Sequence, residues 1–229
     1  MRIPDDTPRH PARGRVISYP AVGLDEGAPG SDEDVPAKLG WRDPRILPWN
    51  LVGLVGGHGH AALLGVIGFL VIDRLSLPLE EAQHAIAIVL IAGAAATLLA
   101  QWWLIPLLRL SPRNLVATGC ILSATGALLA GLSGGMYGIT LGFALASIGF
   151  GFFRPGYTSG ASLAVSAQEQ NEIAGMTTSV NGAAFIAAPA AGVALYGLGL
   201  ALPFVTVAAL MLGLSLWVSF RLNLSTRAA

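Results

Sequence analysis

Charge is scarce in this sequence: Asp, Glu, Lys and Arg make up 11% of 229 residues, against 54% hydrophobic residues. A soluble globular domain carries about a quarter charged residues. The few charges are also crowded at one end. Residues 1–47 hold seven of the 13 basic and eight of the 13 acidic side chains, leaving six and five for the other 182 residues. A water-facing shell cannot be built from so few, so the remainder must face lipid. Cysteine is nearly absent. The single Cys120 lies in an apolar run, which excludes a disulfide framework and a thiolate metal site and reads as a small packing residue. The net charge of zero removes the electrostatic basis for nucleic-acid binding, and nothing calls for a cofactor.

The amino terminus, Met-Arg-Ile-Pro-Asp-Asp-Thr-Pro, lacks the apolar core of a signal peptide. Residues 1–47, rich in Pro, Gly and acids, read as a flexible cytoplasmic segment ending in Trp41-Arg42-Asp43-Pro44-Arg45.

Long apolar runs follow. A bilayer core takes about 20 apolar residues as helix, and runs of that size occupy 48–72, 84–108, 114–133, 136–154, 174–196 and 199–220. Together they predict an all-α, six-span membrane domain over 48–222, with a short cytoplasmic tail at 223–229. Membrane strands alternate apolar and polar residues, and these runs do not. Small residues recur four apart, at Gly53/Gly57, Gly138/Gly142 and Ala188/Gly192, where helix backbones can approach closely. With the amino terminus inside, twelve Lys/Arg lie on the cytoplasmic side and only Arg74 outside, so both termini are expected in the cytoplasm.

No Asp or Glu lies in the middle of any span, which removes the usual ligand for proton or sodium coupling. The polar residues that do lie at membrane depth are the candidates. His58 and His60 sit near the middle of the first span, about 200° apart on a helix, so only one can face a given cavity. Gln101 and Thr97 share a face of the second span; Asn181, with Thr177 and Thr178 one turn before it, marks the fifth. His58, Gln101 and Asn181 all fall within about 8 Å of the midplane on one side, by the helical rise per residue. They form either one polar pocket or three separate interhelical hydrogen bonds. Pro189 favours a kink in the fifth span. Arg154-Pro155 closes the fourth span at the membrane surface, where the arginine snorkels or makes a switchable contact with the 156–173 loop.

The stretch from Phe150 to Gly197, which holds Arg154-Pro155, a Glu-bearing polar segment and a Gly-rich helix with a central proline, resembles the tenth-to-eleventh span region of the major facilitator superfamily, in the style of its drug- and tetracycline-efflux antiporters. Asn181–Gly192 is similar to the family's glycine–proline pattern, with Ala188 and Ala191 in place of two glycines; the 109–114 loop echoes a family loop but lacks its Asp. The resemblance covers about residues 41–222 and implies the following. The domain is the carboxy-terminal six-span half of a twelve-span transporter in the cell (inner) membrane, built as two inverted three-helix repeats. Its activity is proton-coupled efflux of a small-molecule substrate. The first, second, fourth and fifth spans line the cavity, with Arg154, Pro155, Pro189 and Gly192 as conformational elements. The coupling carboxylates belong mostly to the other half. Beyond the lipid bilayer, the expected partner is a six-span amino-terminal half or a second copy, and residues 1–47 resemble the linker that joins the halves. No similarity between 48–133 and 136–220 is visible. The alternatives are a nonfunctional remnant and, through Gly160-Ala161-Ser162, an intramembrane rhomboid-like protease, for which the last histidine, His84, precedes the serine instead of following it.

Overall fold

A computed structural model describes residues 39–225, and all its described secondary structure is helical. Six helices are long and apolar enough to cross a membrane. We number them α1 (Leu47–Leu75), α2 (Leu79–Leu99, continuing through a π-helical turn at Ala100–Leu104 and a last α-turn at Ile105–Leu108), α3 (Pro112–Leu132), α4 (Met136–Leu163), α5 (Gln170–Leu198) and α6 (Leu202–Ser225).

Local chemistry explains most of the ends. α1 stops where Ser76 takes a left-handed conformation (φ 49°), and the backbone N–H of Ser76 donates to the Ile72 carbonyl. α2 begins after Pro78 with Glu80 and Glu81 in its first turn, where carboxylates complement the helix dipole. Its π-turn ends just before Pro106, whose ring would otherwise press on the carbonyl one turn back. Ser111 caps α3, its hydroxyl accepting from the Asn114 N–H, with Pro112 in the first turn.

Two expected boundaries move. The fourth span does not end at Arg154: α4 runs on to Leu163 with Pro155 inside it. The segment after Pro155 is rich in Gly, Ser and Thr and reads as a loop, but its hydroxyls turn back on the helix. Thr158 donates to the Arg154 carbonyl at 3.0 Å and Ser159 to the Pro155 carbonyl at 2.6 Å. The following helix starts earlier than 174, because Ser166 and Glu169 form a capping box that launches it. The amino-terminal segment also differs from its expectation. Leu39 and Ile46 are buried against Ala161 and Ile173, so residues 39–46 are anchored to the domain, while 1–38 lie outside the described residues.

The principal helix pairings are α3 with α4, α1 with α5, α3 with α6, and α2 with α4; α1 also touches α6 and α4. Glycine decides how close they come. A Cβ on Gly119 would lie 2.7 Å from the Gly149 carbonyl, and Gly126 and Gly142 meet the main chain of Ala146 and Ala130. α3 and α4 therefore touch backbone to backbone, as small residues allow in membranes. Of the small-residue pairs seen in the sequence, Gly53 lies beneath the Tyr157 ring, Gly57 against Ala184 and Gly192 against Ala62, whereas Gly138 meets only Ser133. α2 turns much of its surface outward; Trp102 and Trp103 are 80% and 71% exposed near its carboxy-terminal end, as interfacial aromatics are.

Candidate functional site

α4 carries Phe150, Phe153, Arg154 and Tyr157 at helical spacing on one face. The neighbouring α1 answers with glycines: Gly56 makes room for the Phe153 ring and Gly53 for Tyr157. These side chains prevent α4 from closing onto α5, and the gap is a cavity of about 400 Å³. Gly57 and His60 of α1, the four α4 residues, and Thr178, Asn181, Gly182 and Phe185 of α5 line it. By the helical rise, His60 lies about 1.5 Å, Asn181 about 4.5 Å and Arg154 about 7 Å from the middle of its helix. The cavity is therefore at membrane depth.

Its polar geometry is specific. The Tyr157 hydroxyl donates to Asn181 Oδ1 at 2.6 Å, joining α4 to α5 across the cavity. The His60 ring stacks on Phe150 with centroids 4.4 Å apart and presents an edge contact to Phe185. Thr178 satisfies its hydroxyl on the Ala174 carbonyl. Arg154 is exposed at the cavity wall and has no hydrogen-bond or ion-pair partner among the described residues. No Asp or Glu borders the cavity.

A second cavity, about 380 Å³, shares the α4 and α5 walls on the side nearer the α4–α5 loop. Thr158, Ser159, Ser162, Gln170 and Thr177 line it. Ser162 donates to Gln170 Oε1 at 2.6 Å, and the Gln170 amide donates back to the Ser162 carbonyl at 2.9 Å. The serine is thus engaged by an amide and not by an imidazole; His84 instead bonds the Glu80 carbonyl of its own helix.

Of the residues singled out in the sequence, His60, Thr178, Asn181 and Arg154 come together at the first cavity, and Pro155 lines the second. The other histidine turns away, as the 200° separation requires: His58 Nδ1–H donates to the Leu54 carbonyl at 2.7 Å. Gln101 lies in the π-turn of α2 and Thr97 bridges α2 to α4 by donating to the Gly93 and Ser147 carbonyls; neither borders the cavity. Convergent depth did not bring Gln101 to Asn181, because α2 pairs with α4 and not principally with α5. Pro189 and Gly192 serve the α1–α5 contact, against Gly65 and Ala62. Tyr157 and the three phenylalanines were missed. Tyr157 shares a helical face with Phe150 and Phe153 only if α4 continues past Pro155, and Phe185 lies on α5. Asn50 is a further buried polar side chain, on α1, whose amide atoms find no partner among the described residues.

A charged clasp lies near the amino-terminal ends of α1 and α5. Arg45 forks onto Glu169 at 2.8 and 3.2 Å and onto Asp43 at 2.7 Å, and the Leu39 N–H donates to Glu172 at 2.6 Å. The Arg45 guanidinium, helped by the backbone and hydroxyl of Ser166, holds the Glu169 carboxyl down at about 2. Arg45 likewise lowers Asp43, and its own pKa is raised in return, first by Asp43 and then by Glu169. At the other end of the same helix pair, the Tyr196 hydroxyl donates to Asp73 at 2.8 Å.

Comparison with known protein families and with curated proteins finds no match for this chain.

Proposed function

We propose that this domain is one half of a secondary transporter of the major facilitator type, which moves a small solute out of the cell across the inner membrane through the cavity between α1, α4 and α5. The observation that carries the proposal is that cavity. A cation, an imidazole and an amide meet at membrane depth, where unpaired polar groups are costly unless they serve a water-filled path. His60 is the histidine among the lining residues, and it is the proton-coupling candidate within this half.

Two further features support the reading. Exchanging α1 with α4, α2 with α5 and α3 with α6 maps the α1–α5 pairing onto α4–α2, α1–α6 onto α4–α3 and α1–α2 onto α4–α5, as two inverted three-helix repeats would require. The cavity is also one-sided: Arg154, Thr178, Gly182 and Phe185 line it and yet are exposed. A second six-helix unit, either an amino-terminal half or another copy, covers that side in the working transporter. Both termini are then cytoplasmic.

The test uses inverted membrane vesicles holding the full chain, with a preset pH gradient followed by a fluorescent dye while candidate solutes are added. Wild type should dissipate the gradient with particular solutes. His60→Leu and Asn181→Val should lose that response at unchanged membrane levels, while His58→Leu and Gln101→Leu keep it. A response equal in all four variants, or no solute-dependent response in wild type co-expressed with a partner half, overturns transport through this cavity.

A further inference from the structure

We infer that the cavity selects a small organic anion with an aromatic body, its acid group held by Arg154. The inference rests on the cavity being a solute site and goes beyond it by assigning the sign of the solute's charge. A guanidinium is a cation, and no carboxylate among the described residues pairs with that of Arg154: their ion pairs are those of Arg45 with Asp43 and Glu169, outside the cavity. A cation exposed at membrane depth draws in an anion or water.

One neighbouring polar group, Asn181, offers a donor in the same sense. Asn181 Oδ1 is taken by the Tyr157 hydroxyl, so its amide nitrogen is left to donate. Thr178 spends its proton on a helix carbonyl. An entering cation would meet Arg154 with no carboxylate to offset the repulsion. A carboxylate or sulfonate would gain a charge-assisted fork from the guanidinium and one further bond from Asn181.

The rest of the wall sets the body of the solute. Phe150, Phe153 and Phe185, with His60 stacked on Phe150, form a continuous aromatic lining beside the cation. A volume of about 400 Å³ is within the usual range for small-molecule sites. A flat one- or two-ring acid matches both features: ring against the phenylalanines, acid group toward Arg154.

Binding is measured on the full chain in lipid nanodiscs by equilibrium dialysis, with empty discs subtracting partition into lipid. The probes are 2-naphthalenesulfonate, 2-naphthalenemethanol and 2-naphthyltrimethylammonium, which share a ring system and differ in charge. Wild type should bind the sulfonate at least tenfold more tightly than the other two. Arg154→Gln should bring the sulfonate down to the affinity of the alcohol and leave the alcohol unchanged, and Arg154→Lys should keep part of the preference. Equal binding of the three probes by wild type, or an undiminished preference in Arg154→Gln, overturns the inference. Phe185→Ala should weaken all three in parallel. Failure of every probe to bind above empty discs overturns the cavity as a solute site, and the anion inference with it. Anion-selective binding without transport overturns only the transport proposal.

Discussion

α4 has two flanks, and they are built on opposite plans. Toward α3 it presents Gly142, Ala146 and Gly149, and the two backbones meet with only small side chains, such as those of Ser123 and Ala130, at the contact. Toward α5 it presents Phe150, Phe153, Arg154 and Tyr157, which hold the helices apart around a cavity bridged by one hydrogen bond. Both flanks belong to one continuous helix of 28 residues. Side-chain size alone separates a sealed seam from an open groove. The difference shows in burial: over their most apolar windows α3 is 56% buried and α5 only 22%. In lipid, where helices gain no hydrophobic drive to associate, close van der Waals contact is what makes the seam firm. The groove lacks it.

The contrast can be broken most severely on the sealed side. Gly126→Leu would push four heavy atoms into the Ala146 main chain, a misfit without rotameric escape that should cost about 3 kcal/mol or more. The expected result is loss of monodisperse protein on size exclusion after detergent extraction. On the open side a comparable change should be mild. Tyr157→Phe removes the hydroxyl that donates to Asn181 and should cost about 1 kcal/mol, read as an earlier midpoint in SDS-induced unfolding of otherwise normal protein. If Gly126→Leu folded as well as Tyr157→Phe, the distinction between the flanks would fail.

The smallest effect is expected at the clasp that ties residues 39–46 to the start of α5. Its charges lie at the surface and Arg45 is half exposed, so it should govern local opening and leave global stability alone. Glu169→Gln should raise hydrogen exchange of that segment a few-fold at neutral pH, with the spans unchanged. The pH dependence follows from the lowered Glu169 pKa. The clasp is fully present above the ordinary carboxylate value of 4.5 and is lost as pH falls toward about 2. Wild type should therefore match the variant only in strong acid, after correction for intrinsic exchange rates.

Much of this was legible in the sequence, and the exceptions have physical causes. All six spans were visible, because lipid demands about 20 apolar residues whatever the neighbours do. Only one of His58 and His60 could face the cavity, since 3.6 residues per turn set them apart; which one was not readable. Arg154 was noticed and misplaced. Pro155 and the hydroxyl-rich run after it have the composition of a loop, yet they continue the helix, with Thr158 and Ser159 bonded back to its carbonyls. Placing Arg154 at a helix end also hid Tyr157, three residues further along the cavity face. Gln101 was grouped with Asn181 on depth, which is a single coordinate. The azimuth that separates them comes from α2 pairing with α4 while α5 pairs with α1.

Composition and hydropathy by themselves determined that this is a six-helix membrane domain, because those properties answer to the solvent and need no knowledge of neighbours. Tertiary structure alone decided where the polar groups meet. Helix pairing sets which faces converge, and the placement of glycine against aromatic residues sets whether a converging pair closes or leaves a cavity beside Arg154.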